Sequence, residues 1–276
     1  MLNVGFAKHR GDWNWRNVRS PFARLYYVVE GNAQVEMPEG IVSLRPHYLY
    51  FIPPYTMHNN ICKGCFSHYY LHVYEDPSHG GGFWDRWQFP VEVEASDDDL
   101  NLMKRLCEIN PGMKLSQSDP ESYDNRLTLI SNIQYNQQRS ECDKVESTGI
   151  ILLLLSRFLR LATAVKRVKD ERIEQSLRYI RENIGRRVSM VELAKVACMS
   201  KDHFIRMFKR EVLQTPNVYI TVKKIERAEL LLVTTSLSVK QIALSLGYDD
   251  KAYFNNVFRR HTSVTPLQYR EKFSHL

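Results

Sequence analysis

Residues 189–219 read SMVELAKVACMSKDHFIRMFKREVLQTPNVY, and residues 238–269 read SVKQIALSLGYDDKAYFNNVFRRHTSVTPLQY. The two stretches repeat one pattern with an offset of 49 to 50 residues. The matched positions include Ser189 with Ser238, Glu192 with Gln241, Phe204 with Phe254, Phe208 with Phe258, and Pro216 with Pro266. A repeat at a fixed period indicates that one structural unit occurs twice in the chain.

Each copy predicts two short helices joined by a tight turn. A serine followed three residues later by Glu or Gln forms a capping box, which marks the start of the first helix. In the second helix, Phe204, Met207 and Phe208 are spaced to form one apolar stripe that faces a core. The turns fall at residues 197–200 and 247–250, and the resulting unit is a helix-turn-helix.

The opposite face of each second helix is predicted to be exposed and to read DNA bases. Arginine can recognise guanine, asparagine can recognise adenine, and small or apolar groups can contact the thymine methyl. The residues are Lys201, Asp202, Ile205 and Arg206 in the first copy, and Lys251, Ala252, Asn255 and Asn256 in the second. A merely solvated face is the alternative for a single copy, but two copies in a basic region favour DNA.

Between the copies, Val218 to about Val233 is predicted to form one connecting helix. A helix of this length spans about 24 Å. With the flanking units it can hold the two DNA-reading helices near the ~34 Å repeat of one DNA turn. We expect phosphate contacts, which position a protein without reading sequence, from Ser189, Lys209, Lys224, Lys240 and Arg259.

The distribution of charge agrees with a DNA-binding region at one end. The chain has 276 residues and a net charge of +7. Residues 166–276 hold 22 Lys and Arg against 12 Asp and Glu, a balance of +10, which leaves 16 against 19, or −3, for residues 1–165. A basic block joined to a mildly acidic one is typical of a nucleic-acid-binding domain attached to another domain, although charge alone also fits a solvated basic surface.

The N-terminal half changes from strands to helices. Residues 23–74 contain short runs rich in Tyr, Val, Ile and Phe between turn residues, which predicts an antiparallel barrel or sandwich. From Asp97 the spacing of apolar residues becomes helical, for example at Leu127, Ile130 and Ile133. The helix at about 148–165 carries Leu152, Leu155, Leu159 and Ala162 and is apolar on more than one face, so it forms either a homodimer interface or a helix buried under the strands.

Residues 173–273 resemble the DNA-binding region of the AraC/XylS family. The matching motifs are Phe208-Lys209, Ile225 with Ala228, Ile242-Ala243, Gly247-Tyr248, Tyr253-Phe254, Phe258-Arg259-Arg260, Thr265-Pro266 and Tyr269-Arg270. The resemblance implies base contacts from Asp202, Ile205 and Arg206 in the first unit, and from Lys251, Ala252, Asn255 and Asn256 in the second. The chain departs from the family where Leu213 and Ser263 replace a common glycine, Lys224 a common arginine, and Cys198 a glycine of many such turns.

Residues 20–95 resemble the small cupin barrel with which many members of this family bind an effector, most clearly at Tyr48–His58. Strand alternation places His68, Tyr70 and His72 on one face, which lines a pocket or the outer surface. Together with His58, these residues are the candidate effector-binding set. The His-x-His pair of metal-dependent cupin enzymes is not found in the sequence.

A zinc site is a further possibility in the same region. Cys62 and Cys65 form a Cys-x-x-Cys followed by His68 and His72, which makes four conceivable ligands. The spacing between Cys65 and His68 is far shorter than in zinc fingers, so incidental thiols are the favoured interpretation. We therefore expect no metal and no cofactor.

Together these observations predict an α+β protein with an N-terminal cupin-like barrel (about 20–95), trailing helices (about 97–165) and a C-terminal all-α domain with two helix-turn-helix units. The predicted domains are 1–165 for effector sensing and dimerisation, 166–172 as linker, and 173–276 for DNA binding. The expected function is that of a sequence-specific, effector-responsive transcription regulator, an activator, and not an enzyme. The alternatives are an architectural DNA-binding protein and a metal-dependent cupin enzyme with a DNA-binding tail.

Expected partners are double-stranded promoter DNA, a small-molecule effector, RNA polymerase, and a second copy of the chain bound through residues 97–165. The longest apolar run, Ile150–Leu155, is too short to cross a bilayer, and the first residues lack the pattern of a signal peptide. The five cysteines fit reduced thiols rather than a disulfide framework. We therefore expect a cytoplasmic protein without a membrane partner.

Overall fold

A computed structural model describes residues 1–75, 83–124, 126–164 and 170–272. Within these residues the chain forms two compact units, one from residues 1–75 and 87–163 and the other from residues 83–86, 164 and 170–272. Residues 166–169 of the predicted linker lie outside the described residues. The secondary structure is mixed, with strands confined to the region before residue 165 and a helical C-terminal part, as the α+β class requires.

The first unit contains two antiparallel sheets. The strands are β1 (Asn3–Arg10), β2 (Trp15–Val18), β3 (Ala23–Gly31), β4 (Ala33–Met37), β5 (Gly40–Leu44), β6 (Tyr48–Ile52), β7 (His58–Ile61), β8 (Cys65–Val73), β9 (Trp87–Gln88), β10 (Glu92–Glu94) and β11 (Thr163–Ala164). One sheet has the order β1-β8-β3-β6-β10, the other the order β2-β7-β4-β5, and β11 pairs with β9. Residues of both main sheets, including Tyr26, Val35 and Phe66, share one hydrophobic core.

The expected cupin-like barrel is not confirmed, because the two main sheets do not close into one another. The chain passes from the first sheet to the second between β3 and β4, at Gly31. Gly31 has φ +77°, and a Cβ there would lie 1.9 Å from the carbonyl oxygen of Cys65. Only glycine fits such a position, and the sharp change of direction splits the strands into two sheets.

The remaining elements of the first unit are helical. They are α2 (Asp97–Glu108), a 3₁₀ turn (Pro111–Met113), α3 (Pro120–Tyr123), α4 (Arg126–Gln138) and α5 (Glu141–Leu159), whereas α1 (Phe83–Arg86) groups with the second unit. In α5 the buried apolar residues are Ile150, Leu154, Leu155 and Phe158. Leu152 of α5 and Leu127 of α4 are exposed. A helix that is apolar all round gives no periodicity from which its inner face can be read.

The second unit consists of helices. They are α6 (Glu171–Glu182), α7 (Met190–Val196), α8 (Lys201–Val212), α9 (Pro216–Thr234), α10 (Val239–Ser245), α11 (Lys251–Thr262) and α12 (Pro266–Lys272). The pairs α7–α8 and α10–α11 are the two helix-turn-helix units, and α9 is the connecting helix. Both predicted capping boxes are confirmed, since Ser189 and Ser238 each accept a hydrogen bond from the backbone N–H three residues later.

The second unit has left-handed backbone at two pairs of equivalent positions. Within the helix-turn-helix turns, Cys198 has φ 50° and Gly247 has φ 71°. At the ends of α8 and α11, Leu213 has φ 62° and Ser263 has φ 67°. Three of these four residues carry a side chain in a conformation that favours glycine, so the departures from the family motif leave the turn geometry unchanged but strained. Among the described helices, none is long and apolar enough to cross a membrane.

Candidate nucleic-acid interface and effector site

The inner faces of α8 and α11 anchor the two DNA-reading helices in their cores. Phe204 and Phe208 are completely buried in α8, and Phe254 and Phe258 are completely buried in α11. In each helix the two rings contact each other, with centroids 5.6 Å apart in α8 and 5.9 Å apart in α11. Burial of two aromatic rings fixes the rotation of each helix about its axis, and therefore fixes which residues face outward.

The outer faces carry the predicted base-contacting residues. Lys201, Asp202 and Arg206 are exposed on α8, and Ile205 is partly buried beside them. On α11, Lys251, Ala252 and Asn256 are exposed. Asn255 is partly buried, and its side-chain oxygen is enclosed without a hydrogen-bond partner among the described residues. Asn255 must therefore change rotamer before that oxygen can reach a base.

Several cations near these faces are available to an external anion. Arg206 and Lys209 on α8, Arg259 on α11 and Lys240 on α10 are exposed, and in the described part of the chain no carboxylate pairs with them. Elsewhere in the unit, Arg186 pairs with Glu192, Arg210 with Glu211 and Lys223 with Glu226. Ser189 is exposed, but its oxygen and backbone N–H are already engaged in the capping box. The Ser189 side chain also contacts the Glu192 carboxylate, so a phosphate would have to compete with Glu192 for it.

Lys224 does not fit the predicted phosphate contact. Its side chain is 5% exposed, and its ammonium donates to the carbonyl oxygens of Arg186 at 3.0 Å and Leu246 at 2.5 Å. Burial lowers the pKa of Lys224 to about 8, and the nearby charge of Arg187 adds to the effect. The ammonium is enclosed by the protein, so it cannot bind DNA. It instead joins α9 to the loop before α7 and to the end of α10.

Arg270 is a second tie that the sequence did not reveal. It lies on α12 and donates to the carbonyl oxygens of Leu232 at 3.3 Å and Leu237 at 2.5 Å, near the end of the connecting helix. Lys224 therefore holds the turn of the second helix-turn-helix unit to α9, and Arg270 holds α12 to the end of α9 and to the segment that follows it. The spacing of charged residues gives no signal for such a role, because it depends on which carbonyls the folded chain leaves at helix ends.

The candidate effector residues lie in the interior of the first unit. His58, His68, Tyr70 and His72 are all buried, the last three along one face of β8. The ring centroids of His68 and Tyr70 lie 6.2 Å apart, and those of Tyr70 and His72 lie 5.8 Å apart. Burial lowers the pKa of His58 to about 3, helped by the charge of Arg24, and it lowers the pKa of His68 and His72 well below the usual value. The three imidazoles are neutral at physiological pH.

The sequence reasoning missed Arg24, which faces the same interior. It pairs with His72 in the register of β3 and β8, and its side chain is 1% exposed. A hint was present, since Arg24 has the same strand parity as Tyr26 and Val28 in an otherwise apolar run. A buried arginine needs a partner, and the partner, Asp124, lies 100 residues away in the sequence.

The cysteines are not arranged as a zinc site. Cys62 is buried and its thiol donates to the carbonyl oxygen of Gly64 at 3.1 Å, whereas Cys65 is exposed. His68 and His72 face the interior between the sheets. Among the described residues, no three of His, Cys, Asp and Glu stand close enough to hold a metal ion.

Comparison with known proteins places the second unit in a family. Residues 193–272 match the family model described as a helix-turn-helix domain. The lactose operon transcription activator of Staphylococcus xylosus is 24% identical over 66% of this chain and 58% of its own length. The xylose operon regulatory protein of Escherichia coli is 30% identical over 41% of this chain and 29% of its own length. The chain thus spans less than two thirds of both relatives.

Among solved structures, the C-terminal domain of the response regulator yesN from Fusobacterium nucleatum is 31% identical, with a TM-score of 0.34, over 35% of this chain and 95% of that one. The sequence relatives are named as regulators of operon transcription. The match falls on the repeated helices whose motifs suggested the family from the sequence. Residues 193–272 therefore form a helix-turn-helix domain of the AraC type.

Proposed function

We propose that this chain binds promoter DNA sequence-specifically and regulates transcription. The observation that carries the proposal is the presence of two helix-turn-helix units on one connecting helix, each with an exposed polar face held in rotation by two buried phenylalanines. In such an arrangement α8 and α11 enter successive major grooves on one side of the duplex. Arg206 and Asn256 have the chemistry to recognise guanine and adenine, respectively.

We further propose that the first unit senses a small molecule and that the chain activates transcription by contact with RNA polymerase. The enclosed set of aromatic and neutral histidine side chains around His68 and His72 supports an effector site. The name of the staphylococcal relative, a transcription activator, supports the direction of regulation. An effector can change DNA binding only by preferring one of two states of the protein.

Homodimer formation is part of the same proposal. On α5, Val145, Leu152 and Leu153 are 70%, 58% and 51% exposed, and Gly149 between them is open to solvent. Val145, Gly149 and Leu152 follow the helical spacing of one stripe, on the side away from the buried Ile150 and Leu154. An apolar stripe with a small residue at its centre suits close packing against the same helix of a second copy.

The test is selection of sites from random duplexes by the full-length chain at two salt concentrations. We expect enrichment of a two-part site whose halves are about one helical turn apart. Arg206→Ala should relax the preference in one half and Asn256→Ala in the other, at a cost of about 1–3 kcal/mol each. Glu211→Ala, on the same helix as Arg206 but outside the reading face, is the matched control and should leave the preference unchanged.

The opposite outcome would identify the architectural alternative. Binding that weakens with salt but enriches no sequence reflects phosphate attraction alone. In that case the proposal of a sequence-specific regulator has to be abandoned.

A further inference from the structure

Arg24 and Asp124 form a buried ion pair that leaves both partners incompletely bonded. Arg24 is 1% exposed and Asp124 is 5% exposed. Nη2 of Arg24 donates to Oδ2 of Asp124 at 3.0 Å and to the hydroxyl of Ser20 at 2.7 Å, and the Ser20 hydroxyl donates to the same carboxylate oxygen. Nε of Arg24 and Oδ1 of Asp124 are enclosed without a partner among the described residues. A guanidinium and a carboxylate normally satisfy each other with two parallel hydrogen bonds, and here one of the two is missing.

The surroundings of Arg24 are aromatic and otherwise neutral. The guanidinium carbon lies 4.9 Å from the ring centroid of Phe22 and 6.0 Å from that of Tyr123. The ring of His72 lies 5.1 Å from Phe22 and 5.0 Å from Tyr123. Burial and the charge of Arg24 keep the pKa of His72 low, so this imidazole carries no charge. Apart from Asp124, the neighbours of the Arg24 guanidinium are therefore flat, uncharged rings.

A small cavity lies next to His72 and Tyr123, the aromatic neighbours of Arg24. Its volume is about 20 Å³, and its walls include Trp13, Tyr26, His68, Tyr70 and His72. A space of this size holds about one water molecule. Arg24 lies on the cavity side of β3, because it has the same strand parity as Tyr26 and is opposite His72 in the register.

One stretch of chain, residues 115–124, closes the cavity, and we call it the closing segment. Leu115, Ser118 and Tyr123 of this segment complete the cavity wall. It is fastened at one end by the backbone N–H of Leu115, which donates to the hydroxyl of Tyr70 at 2.8 Å, and at the other end by Asp124 on Arg24. Burial raises the pKa of Asp124, because the ionised carboxylate loses its hydration in the interior. The charge of Arg24 acts in the opposite direction. An anion that accepted hydrogen bonds from both Nη2 and Nε of Arg24 would release Asp124 to water.

We propose that the interior of the first unit binds a small planar carboxylate, which replaces Asp124 on Arg24 and displaces the closing segment. This inference rests on the effector-responsive part of the proposed function and names the class of effector. The exchange keeps one negative charge beside Arg24, so no uncompensated cation is left in the interior. The flat rings of Phe22 and His72, which stay in place, select a planar ligand, and the removal of Leu115, Ser118 and Tyr123 supplies its volume.

The experiment measures binding of benzoate to the full-length chain by calorimetry, with benzamide as the neutral compound of the same shape and no DNA present. We expect benzoate to bind and benzamide not to bind. Asp124→Asn keeps the shape but removes the competing charge, so benzoate should bind about tenfold more tightly to this variant than to the wild type, because the site is no longer occupied by the chain itself.

The role of Arg24 is tested by the double variant Arg24→Gln, Asp124→Asn, which removes both charges and leaves no unpaired ion in the core. Benzoate binding should be lost in it. Arg45→Gln is the matched control, since Arg45 also pairs with a carboxylate, Glu92 at 3.2 Å, but at the surface, and this variant should bind benzoate like the wild type. Unfolding curves of all variants establish that they are folded.

Three results would overturn the proposal: no benzoate binding to Asp124→Asn at millimolar concentration, equal binding of benzamide, or retained binding in the double variant. Each would make the Arg24–Asp124 pair a structural ion pair only. Because the assay contains no DNA, such a failure leaves the proposal of promoter binding untouched. Loss of sequence-specific DNA binding, in turn, would be detected by site selection and not by this assay.

Discussion

Substitution of Lys224 by methionine is expected to destabilise the second unit and to loosen its two helix-turn-helix units. The ammonium group is the donor to two backbone carbonyls, those of Arg186 and Leu246, which belong to the segments on either side of α9 in the sequence. Methionine fills similar volume but donates no hydrogen bond. Both carbonyls would lose their partner, and the ring of Tyr248, 5.1 Å from the ammonium, would lose its cation.

The size of the effect follows from two opposing contributions. A hydrogen bond from a charged donor contributes about 1.5–3 kcal/mol, so two of them contribute about 3–6 kcal/mol. Part of this loss is offset in Lys224→Met, because methionine avoids the cost of dehydrating a buried ammonium. Burial lowers the pKa of Lys224 to about 8 for the same reason. We expect a net loss of about 2–4 kcal/mol in the free energy of unfolding.

The assay is denaturant unfolding of the full-length chain at neutral pH, followed by helical circular dichroism. Lys223→Met is the matched control, because the neighbouring Lys223 contacts Glu226 at 2.9 Å and lies nearer the surface. That variant should change stability by less than about 1 kcal/mol. Lys224→Arg retains a donor and should recover most of the loss. Equal stability of Lys224→Met and Lys223→Met would refute the reasoning.

Three further predictions concern backbone strain and acid stability. Leu213→Gly should raise the free energy of unfolding by about 0.5–1 kcal/mol, because φ is 62° and the side chain is 83% exposed, whereas Leu213→Ala should give no gain; denaturant midpoints check both. Gly247→Ala should destabilise by about 2–4 kcal/mol, since φ is 71° and the new Cβ would lie 2.5 Å from backbone atoms of Arg186 and Arg187; an unchanged midpoint would contradict this. Burial lowers the pKa values of His58, His68 and His72, so below about pH 6.5 the unfolded chain binds more protons than the folded one. The free energy of unfolding should therefore be highest above about pH 6.5 and should decline as the pH falls toward 3. Unfolding curves of the first unit between pH 7 and 4, compared with a His58→Gln variant that should show a shallower decline, measure this dependence.

The C-terminal unit could be read from sequence because its determinants are local. Capping boxes at Ser189 and Ser238 and the stripes of phenylalanine in α8 and α11 each act within one or two helical turns. The connecting helix begins at Pro216, two residues before the predicted start. The role of Lys224 could not be read in this way, because its partners lie 38 and 22 residues away and meet only in the folded unit.

The first unit was predicted less completely for a related reason. Strand alternation correctly placed His68, Tyr70 and His72 on one face, but which strands pair with one another depends on contacts between distant segments. The choice between one closed barrel and two separate sheets therefore did not follow from the sequence. Arg24 and Asp124 were missed because neither residue carries a motif, and their pairing spans 100 residues.

The central claim is that α8 and α11 read two grooves at a spacing fixed by α9. The most direct measurement is the affinity of the full-length chain for the selected two-part site before and after insertion of about five base pairs, half a helical turn, between the halves. The account predicts that affinity falls to that of a duplex carrying one half alone. Unchanged affinity after the insertion would contradict it.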